Sequence, residues 1–187
     1  KEAIASPKVI KEKLRDITFR VGRAEYPVYS RQFETIPEGI LSFFASLDDG
    51  GIECHQFFGQ GLLFNRHDVL MQDNRGSVIS LYLIAHRIFI VLQFAKKFYT
   101  EFGYQGVLEG YISLERVKDV SILQIMPSGW NGHQENAKAL LSDYKWELNL
   151  DTRVLNSTEL FKEYYLKTVR DIYWSLGYEN LQDDLME

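Results

Sequence analysis

Apolar positions along this chain recur with two different periods, about 3.6 and 2, and the changes between them mark out helices and strands. Ser6 before Pro7 is a helix start, because a serine hydroxyl accepts an unpaired first-turn amide and proline at the first helical position loses no hydrogen bond. Val9, Ile10 and Leu14 follow as the apolar side of a short helix, and Ile17 to Val21 reads as a strand. Thr35 with Glu38 matches a capping box. Ile36, Ile40, Phe43, Phe44 and Leu47 then share a helical face up to Asp48-Asp49-Gly50-Gly51, so a second short helix is predicted there. Ile52 to Asn65 and Val69 to Met71 read as strands, with Gly59 and Gly61 marking a bulge or bend.

The longest predicted element is a helix from Ser77 to Phe102. Val78, Leu81, Ala85, Ile88, Leu92, Ala95, Tyr99 and Phe102 keep a three-four alternation along it. Tyr82, Ile84, Phe89, Val91, Phe94 and Phe98 widen that stripe until most of the circumference is apolar, so the helix must be covered on most sides. Gly103 is placed to end it in the left-handed conformation. Val107 to Leu114 and Val120 to Met126 are β-rich runs joined by the charged segment ERVKD, which predicts a hairpin. After a loop from Pro127 to Asn136, Tyr144, Trp146, Leu148 and Leu150 alternate with Lys145, Glu147 and Asn149, the pattern of a strand with one wet face. Asn156 with Glu159 predicts the cap of a last helix, apolar along Phe161, Tyr165, Val169, Ile172 and Leu176 and ended by Gly177.

This order predicts an α+β fold in which an antiparallel or mixed sheet packs against a long central apolar helix and a C-terminal helix. No repeat, linker or low-complexity segment interrupts the 187 residues, so a single domain over 1–178 and an acidic tail over 179–187 are expected. Hydrophobic content of 45% and charged content of 25% exclude disorder and fibrous classes. Cys54 is the one cysteine, which rules out an internal disulfide and favours a reducing, cytoplasmic setting. No secretory leader is recognised at the start, and because Lys1 is not a methionine the sequence is expected to be part of a longer protein. Val78 to Ala95 is apolar, but His86, Arg87 and Gln93 in its middle argue for a core helix and against a membrane span.

The net charge of −5 argues against a domain built wholly around a nucleic-acid backbone. It hides an asymmetry. Residues 1–31 hold eight basic and four acidic side chains, a net of +4, while the rest holds 13 basic against 22 acidic, a net of −9. Arg15, Arg20 and Arg23 are therefore candidate contacts to phosphates or to an acidic partner, with a solvated helix and strand as the plainer reading.

Signature motifs for phosphate-binding loops, dinucleotide folds, zincins, serine hydrolases and zinc-binding cysteine pairs are not found, and no catalytic residue, cofactor or metal is assigned. Cys54 and His55 are adjacent on a strand, so their side chains point to opposite faces and cannot form a thiol–imidazole pair. His67-Asp68 reads as a turn pair more than an oriented base, and His86 with Arg87 either pairs with acids or lies on a polar stripe. The segment PSGWNGHQEN gathers Trp130 and His133 between glycines, which makes them candidates for lining a small-ligand or nucleotide pocket. Gly129 to Gly132 matches a bare GxxG phosphate clamp, but no basic residue lies within it.

The runs FAKKFYTEFGYQG (Phe94 to Gly106), YISLERVKDVSI (Tyr111 to Ile122) and VRDIYWSLGYE (Val169 to Glu179) resemble the C-terminal region of bacterial proteins that carry an N-terminal Alba-like, Schlafen-type DNA-binding domain. They cover about a quarter of the chain and are packing patterns, so the resemblance carries over no site residue. It implies a non-catalytic accessory domain, for interaction or sensing, beside a nucleic-acid-binding module. A small-ligand or nucleotide-binding domain with an aromatic pocket is the alternative, and an enzyme of unrecognised type the second. Homo-oligomerisation through apolar helix faces is a further expectation.

Overall fold

The computed structural model describes residues 5–16, 18–21, 24–27, 33–45, 52–59, 61–73, 76–123 and 137–178. The chain divides into two compact units, one of residues 1–68 and 90–105, the other of residues 69–89 and 106–187. Both combine helices with antiparallel sheet, so the fold is α+β, and a long helix and a C-terminal helix are present as the periodicity predicts. Among the described residues the strands form four separate sheets rather than one. Among the described residues no helix is long and apolar enough to cross a membrane.

The first unit opens with α1 (Pro7–Asp16), where Ser6 caps as predicted: its carbonyl accepts from the Ile10 amide at 3.0 Å and its hydroxyl lies 3.5 Å from the Val9 amide. A ribbon of β1 (Thr18–Val21) and β2 (Ala24–Pro27) follows. The predicted helix at Thr35 to Leu47 is instead a hairpin of β3 (Phe33–Ile36) and β4 (Gly39–Ala45), with Pro37 and Glu38 as its two-residue turn. The β-rich run ILSFFA gains more from pairing on both sides than from a lone helix, since β4 lies between β3 and β5 (Ile52–Phe58). Gly39 is required for that approach, because a Cβ there would collide with the Phe57 carbonyl oxygen. Turning at Gly59 to Leu62, the chain adds β6 (Leu63–His67) and completes a four-stranded antiparallel sheet in the order β3-β4-β5-β6.

Next come β7 (Leu70–Asp73), β8 (Gly76–Ser80) and α2 (Leu81–Glu101). The long helix thus starts four residues later than its apolar pattern, because Val78, Ile79 and Ser80 are buried in a strand. The Ser80 hydroxyl then caps the helix, accepting from the Leu83 amide at 3.2 Å. Gly103, at φ +66°, ends it as predicted, and the Tyr104 amide closes back on the Tyr99 carbonyl at 2.9 Å. Residues 90–101 of α2 belong to the first unit, where Phe94 and Phe98 join Ile10, Leu14, Ile40 and Phe57 in one core. Phe57 meets the Phe94 ring edge-on at 5.1 Å and stacks with Phe98 at 6.0 Å.

The second unit holds the rest. β9 (Val107–Leu114) does not pair with the following strand β10 (Ser121–Leu123), as the hairpin expectation required. It pairs antiparallel with β11 (Tyr144–Asp151), whereas β10 runs parallel to β8 in the order β10-β8-β7. Residues 137–142 take the place beside the ERVKD segment: the Val117 amide donates to the Ser142 carbonyl and the Asp119 amide to the Ala139 carbonyl, both at 2.9 Å. Arg116 and Asp119 hold positive φ there. A short helix α3 (Thr152–Asn156) precedes α4 (Thr158–Ser175), whose N-cap is Ser157, one residue beyond the predicted Asn156.

α4 runs against the first half of α2. Tyr173 and Tyr165 donate their hydroxyls to the Leu81 and Ala85 carbonyls at 2.7 and 3.2 Å, and Phe89 meets Phe161 and Tyr165 edge-on. Tyr178, held by the αL turn at Gly177, donates to the Ile122 carbonyl at 3.2 Å.

Candidate functional site

Strand parity and register arrange the inner face of the four-stranded sheet in ranks. Residues directly opposite in an antiparallel pair share a face, as do residues two apart on one strand. One rank reads Thr35, Ile40, Phe57, Leu63 across β3 to β6. Its last three residues belong to or pack on the apolar core. The next rank reads Phe33, Ser42, His55, Asn65, and beyond it Phe44, Glu53 and His67 stand in register on β4, β5 and β6. The face therefore turns from apolar to polar within one strand step.

The polar rank is locally ordered. The His55 Nδ1–H donates to Asn65 Oδ1 at 2.6 Å, which fixes the tautomer and leaves Nε2 as the acceptor nitrogen. The His55 and His67 rings lie 5.0 Å apart between centroids, at 69°. His55, Asn65 and His67 are half-buried, whereas Ser42 is 0% exposed. An imidazole oriented by an amide, with a serine opposite, has the composition of a nucleophilic triad. Burial of Ser42 closes that route, since no carbonyl reaches a hydroxyl sealed under the sheet face.

Cys54 and Arg66 stand opposite each other on the outer face. Partial burial pushes the Cys54 thiol up, with Arg66 opposing the shift, so the thiolate is disfavoured. Asp68 is exposed just after His67. On α2, burial and then the Arg87 charge push His86 down, and its ring stacks on Tyr82 at 5.9 Å.

The sequence candidates are dispersed. Arg15 is exposed on the last turn of α1. At 100° per residue, Lys8, Lys11 and Arg15 fall within about 60° of arc, with Glu12 about 40° beyond Lys8 and buried Ile10 and Leu14 on a different side of the helix. Lys13 is diverted: its ammonium binds the Glu101 carboxylate at 2.8 Å and carbonyl at 2.9 Å and lies 5.2 Å from the Phe102 ring centre. Arg20 occupies a position on β1 in register with Glu25 on β2. Arg23, Trp130 and His133 lie outside the described residues, as do the loop 127–136 and the tail 179–187. Among the described residues no three His, Cys, Asp or Glu side chains gather as a ligand set.

Sequence reasoning missed the polar rank because Ser42 sat in a predicted helix and because register decides who stands opposite whom. Alternation of Glu53, His55, Phe57 and of Leu63, Asn65, His67 was the available signal.

A different surface lies in the second unit. On the outer face of the β9–β11 ribbon, Tyr111 is 60% exposed with the Lys145 ammonium 4.2 Å above its ring, flanked by exposed Val107, Glu109 and Glu147. Among the described residues neither strand pairs with a third. Trp146 lies on the inner face, stacked on Tyr144 at 5.7 Å and donating its indole N–H to Ser175 at 3.1 Å.

No family model matches this chain, no curated protein is detectably related to it, and no solved structure resembles it.

Proposed function

We propose that this chain is a non-catalytic accessory domain of a cytoplasmic nucleic-acid-binding protein, acting through its surface. The observation that carries the reading is the solvent side of α1. An acidic chain with net charge −5 leaves Lys8 and Arg15 exposed to water on one helix face, with half-buried Lys11 between them, and holds Lys13 back in an ion pair. Arg20 and Arg23 follow within eight residues and extend that basic segment in sequence.

The contribution of such a segment is electrostatic. Each phosphate that a basic side chain neutralises on duplex DNA adds about 0.9 to the steepness with which log K falls against log salt. In a titration against duplex and single-stranded DNA at two salt concentrations, the triple variant Arg15→Glu, Arg20→Glu, Arg23→Glu should bind more weakly, with a slope shallower by about two to three. Unchanged affinity and slope refute the reading.

A second reading rests on the β9–β11 ribbon, whose exposed Tyr111, on two strands that pair with no third among the described residues, suits a protein partner, including a second copy of the chain. Sedimentation at rising concentration tests self-association, with Tyr111→Glu as the variant that abolishes it.

A further inference from the structure

We infer that two copies of this chain pair through β9, antiparallel about a twofold axis at Tyr111, so that the β11-β9 ribbon and its symmetry mate form one continuous sheet. This rests on the second reading of the ribbon and names its partner and register. Three observations converge. The first is the edge. Gly106 stands opposite Thr152, one step before the Val107–Asp151 pair, and the Thr152 amide donates to the Gly106 carbonyl at 2.9 Å. Bonded and non-bonded pairs alternate along an antiparallel ladder, so the even-numbered residues of β9 bond β11. Glu109, Tyr111 and Ser113 therefore aim their backbone N–H and C=O groups at the other edge. All three are exposed, and so is Gly110. β9 (VLEGYISL) carries no proline, lysine or bulge, the usual devices that blunt an edge strand.

The second is shape. Gly110 shares the inner face with Leu108 and Ile112, and a Cβ there would meet nothing within 4 Å. A glycine inside a strand marks a place where another backbone comes close. With Tyr111 opposite Tyr111 on the axis, the second copy's Ile112 stands opposite Gly110 and its Leu114 opposite Leu108. These are the closer, non-bonded pairs of the new ladder, so the isoleucine covers the gap that the glycine leaves.

The third is charge. On the outer face the same register puts the second copy's Glu109 opposite Ser113, the residue that faces Lys145 across the ribbon. The Lys145 ammonium already lies over β9, 4.2 Å from the Tyr111 ring centre. Twofold symmetry repeats this meeting of unlike charges. A register with Gly110 on the axis would instead set the second copy's Glu109 opposite Tyr111, in one rank with Glu147, and would face Gly110 with Gly110. Like charges then share a rank and the gap stays open, so charge and shape select the same register.

The test is sedimentation equilibrium of the full chain over a wide concentration range. The expected result is a wild-type dimer that Glu109→Lys and Lys145→Glu each weaken about tenfold and that the double variant restores to within about threefold, because the swapped pair attracts again. Within one chain Glu109 faces Asn149 and Lys145 faces Ser113, so the rescue arises only between copies. Ser113→Pro, whose lost amide faces the open edge, should leave the fold intact and abolish the dimer. A wild-type chain that stays monomeric overturns both this pairing and the reading of the ribbon on which it rests. A dimer that Tyr111→Glu disrupts but Glu109→Lys leaves unchanged or strengthens overturns the pairing alone, as does a double variant no better than the single ones.

Discussion

Replacing Tyr173 by phenylalanine removes one oxygen from a side chain that is almost wholly buried and otherwise keeps its shape. The hydroxyl donates to the Leu81 carbonyl at 2.7 Å, in the first turn of α2. That carbonyl stays within reach of the helix's own i+4 amide, so the variant leaves no stranded acceptor. The cost is then the net value of one hydrogen bond, about 1 kcal/mol, rather than the larger penalty of an unsatisfied group. Tyr173→Ala removes the ring as well and should cost about 3–5 kcal/mol. With a urea dependence of about 2 kcal/mol per molar, Tyr173→Phe moves the unfolding midpoint down by about 0.5 M.

High pH sharpens this test. Burial, reinforced by Tyr165, pushes the Tyr173 phenol well above its usual value near 10. A group whose pKa is raised by folding stabilises fully below its unfolded pKa and loses that contribution as pH rises toward the folded one. The unfolded wild type therefore gains about 1.4 kcal/mol per pH unit above 10, a gain denied to the phenylalanine variant. The 1 kcal/mol gap should close near pH 11 and reverse beyond it, with the lysines and other tyrosines cancelling in the difference. A gap that stays constant from pH 8 to 11, or a variant as stable as the parent at pH 8, refutes the buried-donor account.

Two further outcomes follow from local geometry. Gly39→Ala should cost about 3 kcal/mol or more in denaturant unfolding, because the added methyl meets the Phe57 carbonyl and neither backbone can yield without breaking the β4–β5 register. The Arg153 side chain and amide hold the Asp151 carboxylate down at about 2, so an NMR titration of the wild type should find it ionised well below pH 3, and Arg153→Ala should return it toward the ordinary carboxylate value. With a depressed pKa, any stabilisation from this pair is present above pH 4 and lost as pH falls toward 2.

Where neighbouring residues alone determine an element, reading the chain succeeded. Ser6-Pro7 starts α1, Gly103 and Gly177 end α2 and α4, and the alternation from Tyr144 to Leu150 is β11. Failures fall where distant partners decide. Ile36, Ile40, Phe43, Phe44 and Leu47 match a helical face, yet Ile40 to Ala45 is also a β-rich run, and the neighbouring β5 settles the contest in favour of strand. Val78 and Ile79 continue the periodicity of α2, but β7 and β10 claim them, the latter across some forty residues and a parallel pairing that no local pattern announces. The same applies to the candidate site. His55 and Asn65 both lay in predicted strands, but their juxtaposition is a matter of register, set by the turn at Gly59 to Leu62.

The core of the first unit draws Phe94 and Phe98 from a helix that follows its sheet by some thirty residues. On a ribosome adding roughly 5–20 residues per second, Phe98 is joined about 2–8 s after Phe57. Throughout that interval Ile10, Leu14, Ile40 and Phe57 have no helix to close over them, and β6 waits with its inner face bare. Vectorial synthesis thus gives this unit an obligatory unfinished stage, during which a stalled or truncated chain presents chaperones and proteases with an uncovered sheet.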